Sequence, residues 1–329
     1  HSDLRRQRQM CIRDSCKARN TFNLGSISMR YLFCLAFCAV VISTGCASDT
    51  EVQFPMRNDP NFATQVEKPS FEVEKGPLVV VDQGHNNFFT TTGLIQPLLD
   101  LLNSDGYRID FSDGTIDLAV LDRADIFLVI TPMSSPFNDF EDDFTDAYSG
   151  NELTVLESWV REGGSLIVFS EHFPFDIAVS GLLETFGIST SIGVTIDHDF
   201  SNESAGEIVF EGERLASSHP IVAGKRSVRK VASYGGSALR GDGYTNILKL
   251  SDHAMNVPRN WLGVEGGPVG RGNSQGLAGF YGDGRIAAFG DSNGFAAMIF
   301  EDEVSKDFVG MNDDACLLYT SDAADEGHC

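Results

Sequence analysis

Short apolar runs that stop abruptly in polar, glycine-containing stretches dominate the pattern of this chain. Leu78–Val81 is such a run, and it ends at Asp82, Gln83, Gly84, His85, Asn86 and Asn87. After Thr90-Thr91-Thr92, apolar residues recur at Leu94, Ile95, Leu98, Leu99, Leu101 and Leu102, the spacing of an amphipathic helix, with Thr91 or Thr92 as its cap. Tyr107, Ile109 and Phe111 alternate as a second strand, residues 116–124 read as a short helix, and 124–131 form a third strand. Residues 132–150 make a long acidic loop with interleaved Phe. Leu153, Leu156, Trp159 and Val160 define a helix that Gly163-Gly164 terminates. A fourth strand, 165–170, exits at Glu171-His172-Phe173-Pro174, and a helix is expected from Asp176 to Phe186. Strands alternating with helices predict a parallel sheet with right-handed crossovers.

The second half is richer in strands. Segments 192–200, 207–212, 228–239 and 246–250 read as a β-rich insertion or an antiparallel extension. Within 277–295, Gly282-Asp283-Gly284 turns a hairpin between two apolar runs, and the second run leaves the sheet at Gly290-Asp291-Ser292. The expected architecture is α/β: a mostly parallel sheet with helices on both faces, plus that extension.

Composition narrows the function. Asp and Glu number 47 against 24 Lys and Arg, a net charge of −23, which repels nucleic acid. All 7 cysteines lie at Cys46 or before it, or at Cys316 or after it. The intervening chain therefore has no disulfide framework, thiolate metal site or cysteine nucleophile.

The ends differ from the middle. Residues 5–15 and 316–326 can be read from opposite strands of one DNA sequence resembling a transposon-type sequencing adapter, so 1–28 and 316–329 are expected to be artefact. Met29-Arg30, the apolar stretch 31–42 and Ser43-Thr44-Gly45-Cys46 make residues 29–46 a signal peptide. The small residues before Cys46 resemble a bacterial lipobox, with Ser43 where that motif prefers Leu or Val. The expectation is lipidation at Cys46 and anchoring in the periplasm, at the outer rather than the inner membrane; plain secretion is the alternative. Residues 47–76 read as a flexible tether, and 77–315 as a single α/β domain lacking its C-terminal end.

Three polar exits follow apolar strands, and in a parallel sheet they share one edge. They supply a candidate ligand-binding set: Asp82, His85, Asn86, Asn87, Glu171, His172 and Asp291. His172, Glu171 and His85 are the candidates for acid–base catalysis. The same His and carboxylate types suit a divalent metal, although no HExxH spacing is present and no cofactor is otherwise implied. The bland alternative is that these residues cap and cross-link neighbouring loops. Asp197-His198-Asp199 is a weaker metal-like cluster, and Ser217-Ser218-His219-Pro220 and Arg240-Gly241-Asp242 read as turns or loops. No GxGxxG, Walker A or GxSxG motif is present.

The segments DQGHNNF (82–88), WVREGGSLIVFSEHFPF (159–175), SHPI (218–221), GRIAAFGDSNGF (284–295) and GMN (310–312) resemble exported bacterial proteins with a DUF4350-type domain, in the class I glutamine-amidotransferase-like superfamily. The resemblance implies a flavodoxin-like fold. Active members carry a Cys on the elbow after the strand matching 165–170, whereas this chain has Glu171-His172 there, which excludes glutaminase chemistry by that route. The leading expectation is a non-catalytic, envelope-anchored domain binding a small polar ligand such as a carbohydrate or envelope fragment. The alternatives are a hydrolase, metal-assisted or not, using the same crevice, and a structural or partner-binding lipoprotein with a vestigial site.

Overall fold

A computed structural model describes residues 56–311, apart from 63–65, 67, 137–143, 200–206, 225–227, 259–266, 270–272 and 302–305. The expected adapter ends, signal peptide and Cys46, and the middle of the acidic loop, lie outside the described residues. So does Asn312 of the GMN segment.

The apolar runs become the centre of a mixed sheet. Its strands are β1 (Leu78–Asp82), β2 (Arg108–Ser112), β3 (Ile126–Ile130), β4 (Ser165–Phe169), β5 (Ile188–Thr190), β6 (Leu239–Gly241), β7 (Thr245–Lys249), β8 (Ser274–Tyr281) and β9 (Gly284–Phe289). Their order is β2-β1-β3-β4-β9-β8-β6-β5, with β7 also pairing β8. β2, β1, β3, β4 and β9 are parallel, while β8, β6, β5 and β7 pair antiparallel. All five residues of β3 are buried, as expected of a strand central in a parallel array. The hairpin read at Gly282-Asp283-Gly284 joins β8 to β9 and delivers the last parallel strand beside β4.

Seven helices accompany these strands among the described residues: α1 (Phe88–Thr91), α2 (Gln96–Ser104), α3 (Leu118–Leu121), α4 (Gly150–Arg161), α5 (Phe175–Ala178), α6 (Ser180–Thr185) and α7 (Pro220–Ala223). Alternate residues of the sheet, among them Phe127, Val129, Leu166, Val168, Ile286 and Ala288, form one core with Leu156 and Val160 of α4 and Leu182 and Leu183 of α6.

Several expected helices are reshaped by specific contacts. The helix expected from Leu94 is preceded by the separate turn α1. Thr91 does not cap α2, because its hydroxyl donates to the Asn87 and Phe88 carbonyls instead. The helix expected at 116–124 contracts to α3, capped by Asp117, whose Oδ1 accepts from Val120 N at 2.9 Å. The helix expected at 176–186 divides at Val179. Asp146 lies alongside, and its Oδ1 accepts from Gly181 N at 2.8 Å and Ser180 Oγ at 3.0 Å, which serves α6 as an external cap. Within the stretch expected to be tether, Met56–Asn58 pairs antiparallel with Ala297–Glu301, and Ser70 donates through N and Oγ to Asp105.

Candidate functional site

β1, β3, β4 and β9 run in one direction, so their carboxyl ends lie on one margin of the sheet. Strand order reverses at β1, which makes the gap between β1 and β3 the topological switch point where such sheets form ligand crevices. The β1 exit turns sharply there. Asn86 adopts a left-handed φ of 49°, and Met133, just past β3, donates its amide to His85 O at 2.8 Å.

His85 sits between two carboxylates. Its Nδ1 is 2.9 Å from Asp82 Oδ1 and 3.0 Å from Oδ2, and its Nε2 is 3.0 Å from Glu152 Oε1. Tyr148 donates its hydroxyl to Asp82 Oδ2 at 2.6 Å, and its ring stacks obliquely on the imidazole, centroids 4.2 Å apart. Asn87 binds across the turn: its Nδ2 donates to Ile130 O at 3.1 Å, and its Oδ1 accepts from His85 N at 3.1 Å. All five side chains are buried.

Burial works against protonation of His85, but the hydrogen bond and charge of Asp82, joined by the charge of Glu152, outweigh it and raise the imidazole pKa. Burial likewise works against ionisation of Glu152. The hydroxyl and amide of Ser149, the Ile116 amide and the His85 charge more than offset it and lower the Glu152 pKa. Burial, and then the charge of Asp82, push the Tyr148 phenol well above its ordinary value. The group is thus an imidazolium held by two carboxylates, with a neutral phenol on one of them.

A second buried network joins the exits of β4 and β9. Glu171 Oε2 accepts from Ser292 Oγ at 2.8 Å, Ser292 N at 3.1 Å and Asn293 N at 3.3 Å, while Oε1 accepts from His172 N at 3.0 Å. Asp291 Oδ2 accepts from Gly294 N at 3.0 Å and Tyr234 N at 3.2 Å. Burial raises the pKa of both carboxyls, and the Glu171 charge raises Asp291 further. Two carboxyls in contact away from water share one proton. Burial, and then the Glu171 charge, push the Asp291 carboxyl well above its ordinary value, so Asp291 is the partner that takes the shared proton. His172 is half-buried, and its Nδ1 lies 2.7 Å from Phe173 O, which assigns the proton to Nδ1.

The structure therefore divides the candidate set in two. Asp82, His85 and Asn87 bond to Ile130, Tyr148 and Glu152. Glu171 and Asp291 bond to Tyr234, Ser292, Asn293 and Gly294. The exit of β3 lies between the two groups. Asn86 and His172 are the candidates only half-buried at the margin. Tyr148 and Glu152 lie outside the candidate set read from the sequence, yet Ser149-x-x-Glu152 is a capping box that a scan for helix starts finds, and it opens α4. Nothing local marks Tyr148.

The weaker motifs are engaged in local structure. Asp197 is buried against Arg214, with Nη2 at 3.1 Å, and Ser251. Asp199 pairs at the surface with His253. His219 caps α7, its Nδ1 accepting from Ile221 N at 3.3 Å. Among the described residues, no group of three or more His, Cys, Asp or Glu side chains is arranged to hold a metal ion.

The fold and the two networks define a mixed α/β domain with a polar carboxyl margin. No protein-family model and no curated protein matches the chain. Several solved structures are similar at low identity. The mmIFT52 N-terminal domain is 15% identical with a TM-score of 0.45, over 65% of this chain and 86% of that one. A ThuA-like protein from Bacteroides uniformis ATCC 8492 is 10% identical with a TM-score of 0.38, over 70% of this chain and 84% of that one. A β-galactosidase from Bacillus circulans sp. alkalophilus is 8% identical with a TM-score of 0.39, over 67% of this chain and 29% of that one.

Proposed function

We propose that this chain is a non-catalytic, envelope-anchored domain that binds a small polar ligand, of the carbohydrate or envelope-fragment class, at the carboxyl margin of its sheet. Its core is then flavodoxin-like, with helices on both faces, in a DUF4350-type member of the class I glutamine-amidotransferase-like superfamily tethered through Cys46. The parallel strand order β2-β1-β3-β4-β9 supports this, since it repeats the flavodoxin-type order with its crevice at the β1/β3 gap. In this reading Asn86 and His172 touch the ligand, and the buried residues hold the loops that carry them.

The observation that carries the proposal is the full engagement of the buried ionisable groups His85 and Glu171. Both His85 nitrogens lie against carboxylates, and both oxygens of Glu171 hold donors from the flanking loops. Groups so committed are scaffolding for a rigid recognition surface, whereas a general base needs a position open to the substrate.

Calorimetric titration of the purified chain with a panel of oligosaccharides and cell-wall fragments tests this. Saturable binding is expected, weakened at least about tenfold by Asn86→Ala or His172→Ala, with loss of one or two hydrogen bonds as the cause. Chromatography of the same mixtures is expected to show the ligand intact. A panel without a binder overturns the reading. Product release abolished by His172→Ala would replace it with the hydrolase.

A further inference from the structure

The approach to the exit of β1 is occupied by the chain itself. Residues 144–149 run along the carboxyl margin on their way into α4. Phe144 sets its ring edge-on against Phe173, just past the exit of β4, with centroids 4.6 Å apart. Asp146 Oδ1 accepts from Gly181 N and Ser180 Oγ at the start of α6. Ala147 donates its amide to Ala178 O at 2.8 Å. Tyr148 then reaches Asp82 at the exit of β1, and Ser149 caps α4. Strand order places β3 between β4 and β1, so this strap lies along the switch-point crevice.

Burial is uneven along the strap. Thr145, Asp146 and Ser149 are exposed, Phe144 and Ala147 are half-buried, and Tyr148 alone of the six is buried. The segment is a surface strap holding one plug. Such a segment opens at lower cost than the sheet beneath it, because little apolar surface meets water when it lifts. The plug itself has the chemistry of a ligand. Its hydroxyl donates to Asp82 Oδ2 at 2.6 Å, and its ring lies on the His85 imidazole. Withdrawing Tyr148 leaves Asp82 Oδ2 with His85 Nδ1 at 3.0 Å and Asn87 Nδ2 at 3.3 Å, and with the place of one hydroxyl donor to fill. A hydroxylated ring supplies both that donor and that face.

We propose that residues 144–149 are an autoinhibitory strap: Tyr148 occupies the crevice at the exit of β1, and a hydroxyl-bearing cyclic ligand reaches Asp82 only when the strap lifts. The inference deepens the reading of this margin as a ligand site and rests on it. Apparent affinity is then the intrinsic affinity scaled by the fraction of molecules whose strap is open. Contacts that only the closed strap makes set that fraction. The Asp146 carboxylate on α6 and the Tyr148 hydroxyl on Asp82 are two of them, and losing a hydrogen bond to a charged group shifts such an equilibrium about tenfold.

Two measurements on the purified chain test the strap without the natural ligand. Hydrogen exchange, corrected for unprotected rates, is expected to be at least about a hundredfold faster at the Ala147 amide than at Leu128 in β3. Equal protection would mean that the strap lifts only when the domain unfolds, and would overturn the proposal. Titration with 4-methylphenol, the tyrosine side chain as a free molecule, is the second. Asp146→Ala and Tyr148→Phe are each expected to bind it about tenfold more tightly than the parent chain, and toluene, which lacks the hydroxyl, is expected to bind each protein more weakly. Unfolding curves verify that the variants fold; should one fail, the other decides. Affinity for 4-methylphenol unchanged by both variants overturns the strap. The oligosaccharide panel is run on the same three proteins. A glycan that binds the parent chain, and neither variant more tightly, overturns the strap and leaves the ligand-site reading standing. No glycan binding, with exchange and 4-methylphenol as expected, removes the carbohydrate reading and supports the strap.

Discussion

Glu171 holds Ser292 twice, through its amide at 3.1 Å and its hydroxyl at 2.8 Å. The two residues lie 121 positions apart, so one carboxylate locks the exit of β4 to the exit of β9. The neighbouring Asp291 retains a proton within this lock. Asp291→Asn replaces that protonated carboxyl with an amide of similar shape and hydrogen-bonding capacity. It is expected to cost under about 1 kcal/mol, whereas Glu171→Gln turns a donor toward the Ser292 and Asn293 amides and costs about 1–3 kcal/mol. Urea unfolding of the two variants measures the difference, and equal losses would contradict the assignment of the proton to Asp291.

The β1 network responds differently. Tyr148→Phe keeps the ring against His85 and removes only the donor to Asp82, at an expected cost of about 1–2 kcal/mol. His85→Ala leaves Asp82 and Glu152 buried without their shared cation, at an expected cost of about 3 kcal/mol or more. Denaturation midpoints in the reverse order would mean that the imidazole is not the charged centre of the network.

Stability should fall as pH rises through neutrality. Folded His85 holds its proton more tightly than the unfolded chain, so its contribution is complete below the unfolded value of 6.5 and fades as pH climbs through the folded value. Glu171 and Asp291 act in the same direction, because folding retains a proton that the unfolded chain releases from its ordinary values, 4.5 and 3.8, upward. Glu152 opposes them only in acid: its lowered pKa contributes stability above 4.5 that is lost as pH falls. Urea midpoints followed from pH about 5 to about 8.5 should decline, and His85→Ala should flatten the decline above pH about 6.5. A midpoint that rises over this range would contradict the raised His85 pKa.

Gly290 is required by a close approach rather than by a special dihedral angle. Its amide donates to Gln275 O at 2.9 Å, its carbonyl accepts from Ser237 N at 2.7 Å, and a Cβ there would collide with the Ser237 carbonyl. Gly290→Ala is expected to cost about 2–3 kcal/mol by overpacking, read as a lowered thermal midpoint. A midpoint within experimental scatter of the parent chain would show that the 236–238 loop moves freely away from β9.

The central strands are legible because their information is local. Leu78–Val81, Ile126–Ile130 and Ser165–Phe169 are apolar runs bounded by polar or glycine residues, and each is a strand within a residue or two of the expected bounds. The β8–β9 hairpin follows from Gly282-Asp283-Gly284 in the same way. Helix ends are less legible. α2 and α6 begin where Pro97 and the distant Asp146 decide, and no periodicity contains a cap supplied from 35 residues away.

By itself, then, the sequence determined the central strands β1, β3 and β4 and the β8–β9 hairpin, but not the strands Ile188–Thr190 and Met56–Asn58. It also determined that the polar exits share a margin, and that no cysteine chemistry is available between residues 47 and 315. Only the tertiary structure decided what those exits do. His85 meets Glu152 across 67 positions, and Tyr148 meets Asp82 across 66. The reason is physical. Hydrophobic periodicity encodes which side of an element is buried, while the partner of a buried charge is set by strand order, and strand order is a property of the assembled sheet.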